Sequence, residues 1–358
     1  MALAAGVDLV VELPLPWACS SAPDFGRGGV QGLSRLGAVA SLCFGSELGY
    51  LEPLQRCADF LAEEAESVAG QTAKLLRRGM TYPQARAVVL AAGTKTAPDA
   101  ATLAAPNNIL GIEYLKALKE LPDSLAPLTI PRIGAGYHDL QPGQNGIASA
   151  TGIRRQLAAG DPVDSLVPAP VAAILERALC SGQMFAAERY FEQLLGQIFR
   201  NSQELDRYWL VDDGIERRLL DGAERAADLE DLIACIKSRQ LTRTRVQRLL
   251  VSVLLGLEKA AVRELLNVGP RYLHLLALSD RGRAFLAATR KSRSVPLIQN
   301  FSRVYATLKR RYGAESPEYW LAVRQLDLEV RATRLYSLLL QRTADGPRNR
   351  DFYEQLRT

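Results

Sequence analysis

Residues 105–118 read APNNILGIEYLKAL, residues 129–139 read TIPRIGAGYHD and residues 146–155 read GIASATGIRR. Each places a short polar cluster at the joint between apolar segments, where a layered α/β sheet gathers its ligand-binding groups. Pro106 restricts the chain, Asn107 or Asn108 can cap free amides, and ILGIEYLKAL carries an apolar stripe. This pattern predicts a helix that opens at the PNN turn. Residues 128–133 read as a strand, and Pro131, which has no amide hydrogen to donate, places it at an edge or a bulge. Ser149 and Thr151 are suited to open a short helix running to Leu157.

Working outward, residues 7–12 (VDLVVE) have the valine content of a largely buried parallel strand. Residues 30–36 carry a weak helical pattern. Residues 39–44 form a second strand candidate that stops at Gly45-Ser46-Glu47. Helical segments follow over residues 51–78 and 83–91. Strands alternating with helices of this length predict an α/β fold with a layered sheet. From Pro168 the character changes, and helical periodicity recurs over residues 172–179, 186–198, 215–220, 229–236 and 246–257. The proline-rich stretch 161–170 (DPVDSLVPAP) is the expected linker. It divides residues 1–160 from a mostly helical second domain, 171–340, with a polar tail at 341–358.

The 358 residues are enough for two cores. Asp8, Glu12 and Pro14 break the apolar opening, which argues against a signal peptide. No run approaches the roughly 18 apolar residues of a membrane span. Five scattered cysteines and two histidines argue for reduced thiols and against a Cys/His zinc site. A net charge of +5 and a pI near 8.9 permit an anionic partner. A cytoplasmic location, with no membrane and no inferred protein partner, fits this composition.

Several clusters are candidates for chemistry. Gly45 at a strand end leaves space for a ligand to approach the backbone, or simply forms a tight turn. Asn107 and Asn108 offer amides to a nucleobase or ribose, or else cap a helix. Arg132, ahead of Gly134-Ala135-Gly136, can hold a phosphate in bidentate fashion, and His138-Asp139 follows it. Ser149, Thr151 and Arg154 combine hydroxyls, free helix amides and a guanidinium, a set suited to a polyphosphate. Gly93-Thr94-Lys95-Thr96 imitates the end of a Walker loop but lacks its earlier glycine, so it is set aside. Lys237, Arg239, Arg243, Arg245 and Arg248 lie in a stretch without an acid, and Arg281, Arg283, Arg290, Lys291 and Arg293 form a second cluster. Both suit a nucleic-acid backbone, or a solvated helix face.

Taken in order, GVDLVVELP, SLCFGSE, PNNILGIEYLKAL, IPRIGAGYHD and IASATGIRR resemble the bacterial tRNA(Met) cytidine acetate ligase family of the nucleotidyltransferase superfamily. IKSRQLTRTRVQRLL, VGPRYLHLLALSDRGR and LDLEVRATRLYSLL extend the resemblance over nearly the whole chain. It implies a Rossmann-like nucleotidyltransferase parallel sheet followed by the helical domain. It also implies that ATP and acetate form acetyladenylate, with transfer of acetyl to N4 of the wobble cytidine of elongator tRNA(Met). Gly45, Asn107, Asn108, Arg132, Ser149, Thr151 and Arg154 would then line the ATP site, and the basic helical domain would hold the tRNA.

Family members open with a strand, an EYNPFHNGH-like loop with paired histidines, and a first helix. The resemblance places these upstream of the position matching Met1. The sheet is therefore expected to be N-terminally truncated, with exposed apolar surface and an unpaired edge. Either the start lies inside a longer reading frame, or the chain is a remnant. His138 and His274 match other motifs, so no catalytic residue is identified. Magnesium is the expected metal, without an acidic cluster to mark its ligands. The rival readings are a nucleotidyl or adenylyl transferase with another acceptor, and a non-catalytic RNA-binding protein.

Overall fold

The computed structural model describes residues 1–121, 125–133, 146–212, 214–342 and 348–353. The first half contains β1 (Leu9–Val11), α1 (Ala22–Arg35), β2 (Ser41–Ser46), α2 (Glu52–Glu63), α3 (Ala65–Arg77), α4 (Tyr82–Gly93), α5 (Ala100–Leu103), α6 (Pro106–Lys119) and β3 (Ala126–Pro131). It is followed by α7 (Ala150–Ala159), α8 (Ala169–Cys180), α9 (Ala187–Arg200), α10 (Ile215–Arg225), α11 (Leu229–Ile236), α12 (Arg243–Leu255) and α13 (Lys259–Val268). The chain then forms β4 (Leu273–Leu278), α14 (Asp280–Ala288), β5 (Leu297–Ile298), α15 (Val304–Tyr312) and α16 (Pro317–Tyr336). The architecture is α/β and mostly helical.

Strands β2 and β3 pair in parallel, with Gly45 opposite Ile130 and Ser46 opposite Pro131. Helix α6 lies on this pair because Gly111 admits the Phe44 ring, where a Cβ would stand 2.6 Å from a ring carbon. Helix α1 packs beside α6, and its glycines keep it thin. A Cβ on Gly28 would stand 2.4 Å from the buried Trp17 indole. The helix predicted over residues 51–78 is two helices, because the backbone turns at Glu64 (φ −111, ψ 32). This turn lets Leu61 of α2 and Val68 of α3 reach the same core.

The valine-rich strand forms, but it does not join β2. Strand β1 pairs antiparallel with β4 of the second half, and β5 extends that sheet in parallel. The sheet elements of the first half are thus divided between two small sheets. Between β1 and β2 lies an apolar gap of two adjoining clefts, both lined by Leu33 of α1 and by Leu36, which follows it. On β3, Leu128 and Ile130 are exposed.

In the second half, α9 to α12 enclose a core built on Leu194, Ile198, Leu232 and Leu249. A further core forms around Tyr272, Phe301 and Leu326. The two halves are not joined only through residues 161–170. Trp17 packs in one cluster with Leu257, Leu265 and Leu328. Arg35 donates to the Val268 carbonyl oxygen at 2.8 Å and also to that of Pro270. Among the described residues no helix is long and apolar enough to cross a membrane.

Candidate nucleotide site

The site starts from the turn that ends β2. Ser46 is fully buried, with Oγ 2.9 Å from Thr129 Oγ1, and it accepts the Gly49 amide at 2.9 Å. The chain then releases Glu47 toward the start of α6. Its Oε1 accepts the Asn107 backbone amide at 3.2 Å and the Asn107 side-chain amide at 2.6 Å. Its Oε2 accepts the Asn108 backbone amide at 2.8 Å. These helix-start amides have no partner within the helix, and a carboxylate there also meets the positive end of the helix dipole.

The cap of α6 is therefore Glu47, and neither asparagine fills the role expected from the sequence. Ala105 stands at the N-cap position and has no side-chain acceptor. Asn108 has no exposed surface. Its Oδ1 accepts the Leu48 amide at 3.1 Å and its Nδ2 donates to the Thr102 carbonyl oxygen at 2.8 Å. Asn108 thus ties the two turns together from beneath. Asn107 is half-buried and lines a cleft of about 380 Å³ with Glu12, Phe44, Gly45 and Tyr114.

Arg132 follows β3, and its amide donates to the Ser46 carbonyl oxygen at 2.9 Å. Its side chain is exposed, and a Cβ built on Gly45 would stand 3.5 Å from its Cγ. Strand pairing therefore sets Arg132 beside Gly45, where the absent side chain keeps the approach open. Ser149 caps α7, accepting the Gly152 amide at 2.9 Å, and is buried. Thr151 and Arg154 are exposed on α7. Neither makes a hydrogen bond or ion pair to the β2–α6 turns among the described residues. The structure brings Gly45, Asn107, Asn108 and Arg132 together and leaves Ser149, Thr151 and Arg154 on a separate helix. Gly134-Ala135-Gly136 and His138-Asp139 lie outside the described residues.

Two groups went unnoticed in the sequence as parts of this region, Glu47 and Glu12. Glu12 follows β1, and its Oε2 lies 2.8 Å from His274 Nδ1. His274 itself is buried against the Phe301 ring. The one sequence signal was position, since each glutamate directly follows a strand. Gly93-Thr94-Lys95-Thr96 falls at the C-terminal end of α4, where outward carbonyls oppose an anion. Its exclusion as a phosphate loop agrees with that placement.

The basic stretch of the second half has no acid in sequence, but acids reach it in space. Arg243 is held in a bidentate pair by Glu230, at 2.6 Å for each bond, and this bonding pulls the Glu230 carboxyl below its ordinary range. Arg245 pairs with Asp212 at 2.6 Å. Lys237 and Arg239 are exposed, and the Arg239 guanidinium lies against Gly79 of the first half. Arg248 is half-buried and has no hydrogen bond or ion pair among the described residues. Tertiary folding thus neutralises two of the five cations. Among the described residues no group of three or more His, Cys, Asp or Glu side chains could hold a metal ion.

Known proteins show the same organisation. A family model described as HIGH Nucleotidyl Transferase matches residues 1–351. The tRNA(Met) cytidine acetate ligase of Syntrophotalea carbinolica is 51% identical over 357 residues, which are 99% of this chain and 84% of that protein. Its Bacillus subtilis counterpart is 32% identical over 348 residues, 95% of this chain and 79% of that one. The apo crystal structure of Thermotoga maritima TmcAL superposes with a TM-score of 0.89 at 28% identity, covering 100% of this chain and 86% of that one. The crystal structure of the same protein bound with alpha-thio ATP gives a TM-score of 0.87 at 27% identity, with the same coverage. With a glycine and an arginine side by side at the ends of two parallel strands, and kinship along the whole chain, this protein belongs to the HIGH nucleotidyltransferase family and groups within it with the tRNA(Met) cytidine acetate ligases.

Proposed function

We propose that this chain uses ATP and acetate to make acetyladenylate and transfers the acetyl group to N4 of the wobble cytidine of elongator tRNA(Met). The observation that carries the reading is the Glu47 bridge, which holds the turn bearing Gly45 against the turn bearing Asn107 at the mouth of a cleft. In the first step an acetate oxygen attacks the α-phosphorus and pyrophosphate leaves. In the second, the cytidine amine attacks the acetyl carbon, AMP leaves, and the amine loses a proton. Charge builds on phosphoryl oxygens in the first step, so fixed donors are the main aid.

Asn107 gives its amide hydrogens to Glu47, and its Oδ1 stays available to accept from the nucleoside. Arg132 supplies the cation beside Gly45. Ser149, Thr151 and Arg154 complete the triphosphate contacts from the start of α7. Asn108 serves the nucleotide by fixing both turns. Magnesium has no ready ligand set among the described residues, so no step is routed through it. In this reading residues 1–160 hold the nucleotide, 161–170 connect, and the helical part, 171–340, holds the tRNA in the cytoplasm. Lys237, Arg239 and Arg248 are its principal contacts.

The test incubates purified protein with ATP, acetate and elongator tRNA(Met), followed by nucleoside mass spectrometry for N4-acetylcytidine. Acetate-dependent pyrophosphate release without acetylation of this RNA would assign another acceptor. Binding of tRNA with no nucleotide binding would replace the enzyme reading with an RNA-binding one.

A further inference from the structure

A second cavity lies where the halves meet, with a volume of about 460 Å³. That size falls in the roughly 300–1,000 Å³ range of small-ligand sites. Its walls come from α4 (Tyr82, Pro83), α6 (Ile109, Ile112) and α12 (Thr244, Arg248). Residues of a helix advance by about 100° each, which puts Ile109 on the far side of α6 from Asn107. The body of α6 therefore separates this cavity from the cleft at Gly45 and Asn107.

Its charges are unequal. Arg86 is paired with the buried Glu113, and Arg245 with Asp212. Arg248 is left over: its Nε has no exposed surface and no hydrogen-bond partner among the described residues. Burial, together with Arg245 beside it, lowers the pKa of that guanidinium. A half-buried guanidinium with a buried, unpartnered N–H is unfavourable, and an arriving anion would relieve it. Beside it, the half-exposed Tyr82 and its neighbour Pro83 offer flat apolar faces. Stacking platforms next to a cation are what unpaired nucleic-acid bases use.

We infer that this interface cavity seats one unstacked nucleotide of the RNA substrate, its base against Tyr82 and Pro83 and its phosphate on Arg248. The inference rests on reading the basic half as an RNA-binding surface, and it adds a docking point distinct from the acetyl-transfer site. Thr242, Thr244 and Gln240 also line the cavity, the two hydroxyls 3.3 Å apart and the Gln240 side-chain amide donating to the Leu76 carbonyl oxygen at 2.8 Å.

The experiment is fluorescence anisotropy of the full chain with a hairpin RNA carrying an unpaired loop and with a blunt duplex of equal length. The hairpin is expected to bind about tenfold more tightly. Tyr82→Ala should abolish that margin, leave duplex binding unchanged, and leave ATP affinity as in the unsubstituted chain. Arg248→Gln should weaken the hairpin and flatten the logarithmic salt slope by about 0.7, the value for one phosphate of a single strand. A loop bromouridine should crosslink to the peptide containing Tyr82. Hairpin binding by Tyr82→Ala within about twofold of the unsubstituted protein, or equal losses on hairpin and duplex, would overturn the inference while sparing the RNA reading. Failure of the unsubstituted chain to bind either RNA while it binds ATP would remove both.

Discussion

At the scale of single residues, Glu47 couples the turn after β2 to the start of α6, the two parts of the proposed nucleotide site. Its carboxylate meets three N–H groups, so removing it leaves the amides that start α6 without their acceptor. Glu47→Ala should cost about 0.5–2 kcal/mol of stability, the range for a lost helix cap. It should also weaken ATP binding about tenfold, the worth of one or two hydrogen bonds. Denaturant unfolding and titration with a fluorescent ATP analogue measure the two effects. Asn107→Ala should weaken ATP binding by a similar factor of about ten while the unfolding midpoint stays near its original value. Unchanged binding in Asn107→Ala would remove Asn107 from the site. That Gly45, Asn107 and Arg132 lie at the ends of strands and at a helix start was legible in the sequence because turn chemistry is local. Glu47 was not, because the asparagines it holds lie sixty residues further on.

At the scale of elements, α1 shows how glycine serves packing. Gly28→Ala would drive a Cβ into the buried Trp17 ring, where nothing can yield cheaply. The expected cost is about 1–3 kcal/mol, as for other overpacked cores. Gly29→Ala, one residue on, would meet nothing nearer than a Tyr114 ring atom at 3.8 Å. It should stabilise the helix by about 0.5–1 kcal/mol. Thermal unfolding of the pair checks both signs, and equal effects would contradict the packing account. The basic stretch around α12 teaches a related lesson. Its cations were plain in sequence, whereas their neutralisation depends on Glu230 and Asp212 arriving from neighbouring segments.

At the scale of the molecule, the halves are fastened by the β1–β4 pairing, and the second half holds a buried polar group of its own. Buried Glu329 accepts from Tyr272 Oη and from Gln325 Nε2, the latter at 3.0 Å. Burial first, then the charges of Glu12 and Asp351, push its carboxyl up to about 8, against an ordinary value of 4.5. The unfolded chain thus gives up this proton at lower pH than the folded one. Glu329 therefore contributes stability that is fully present below pH 4.5 and is lost as pH rises through about 8, at a slope on the order of 1.4 kcal/mol per pH unit. Glu329→Gln has no proton to lose and should flatten denaturant midpoints across that window; a retained slope would assign it to another group. The sequence by itself determined the α/β class, the position of most helices and the polar turns at strand and helix ends, because helical periodicity and turn chemistry act over a few neighbours. Only the tertiary structure decided that β1 joins β4, that Glu47 caps α6, that Asn108 is buried, and that the buried Nε of Arg248 has no hydrogen-bond partner among the described residues. Each of these is a choice among distant partners, made by burial and shape over the whole chain.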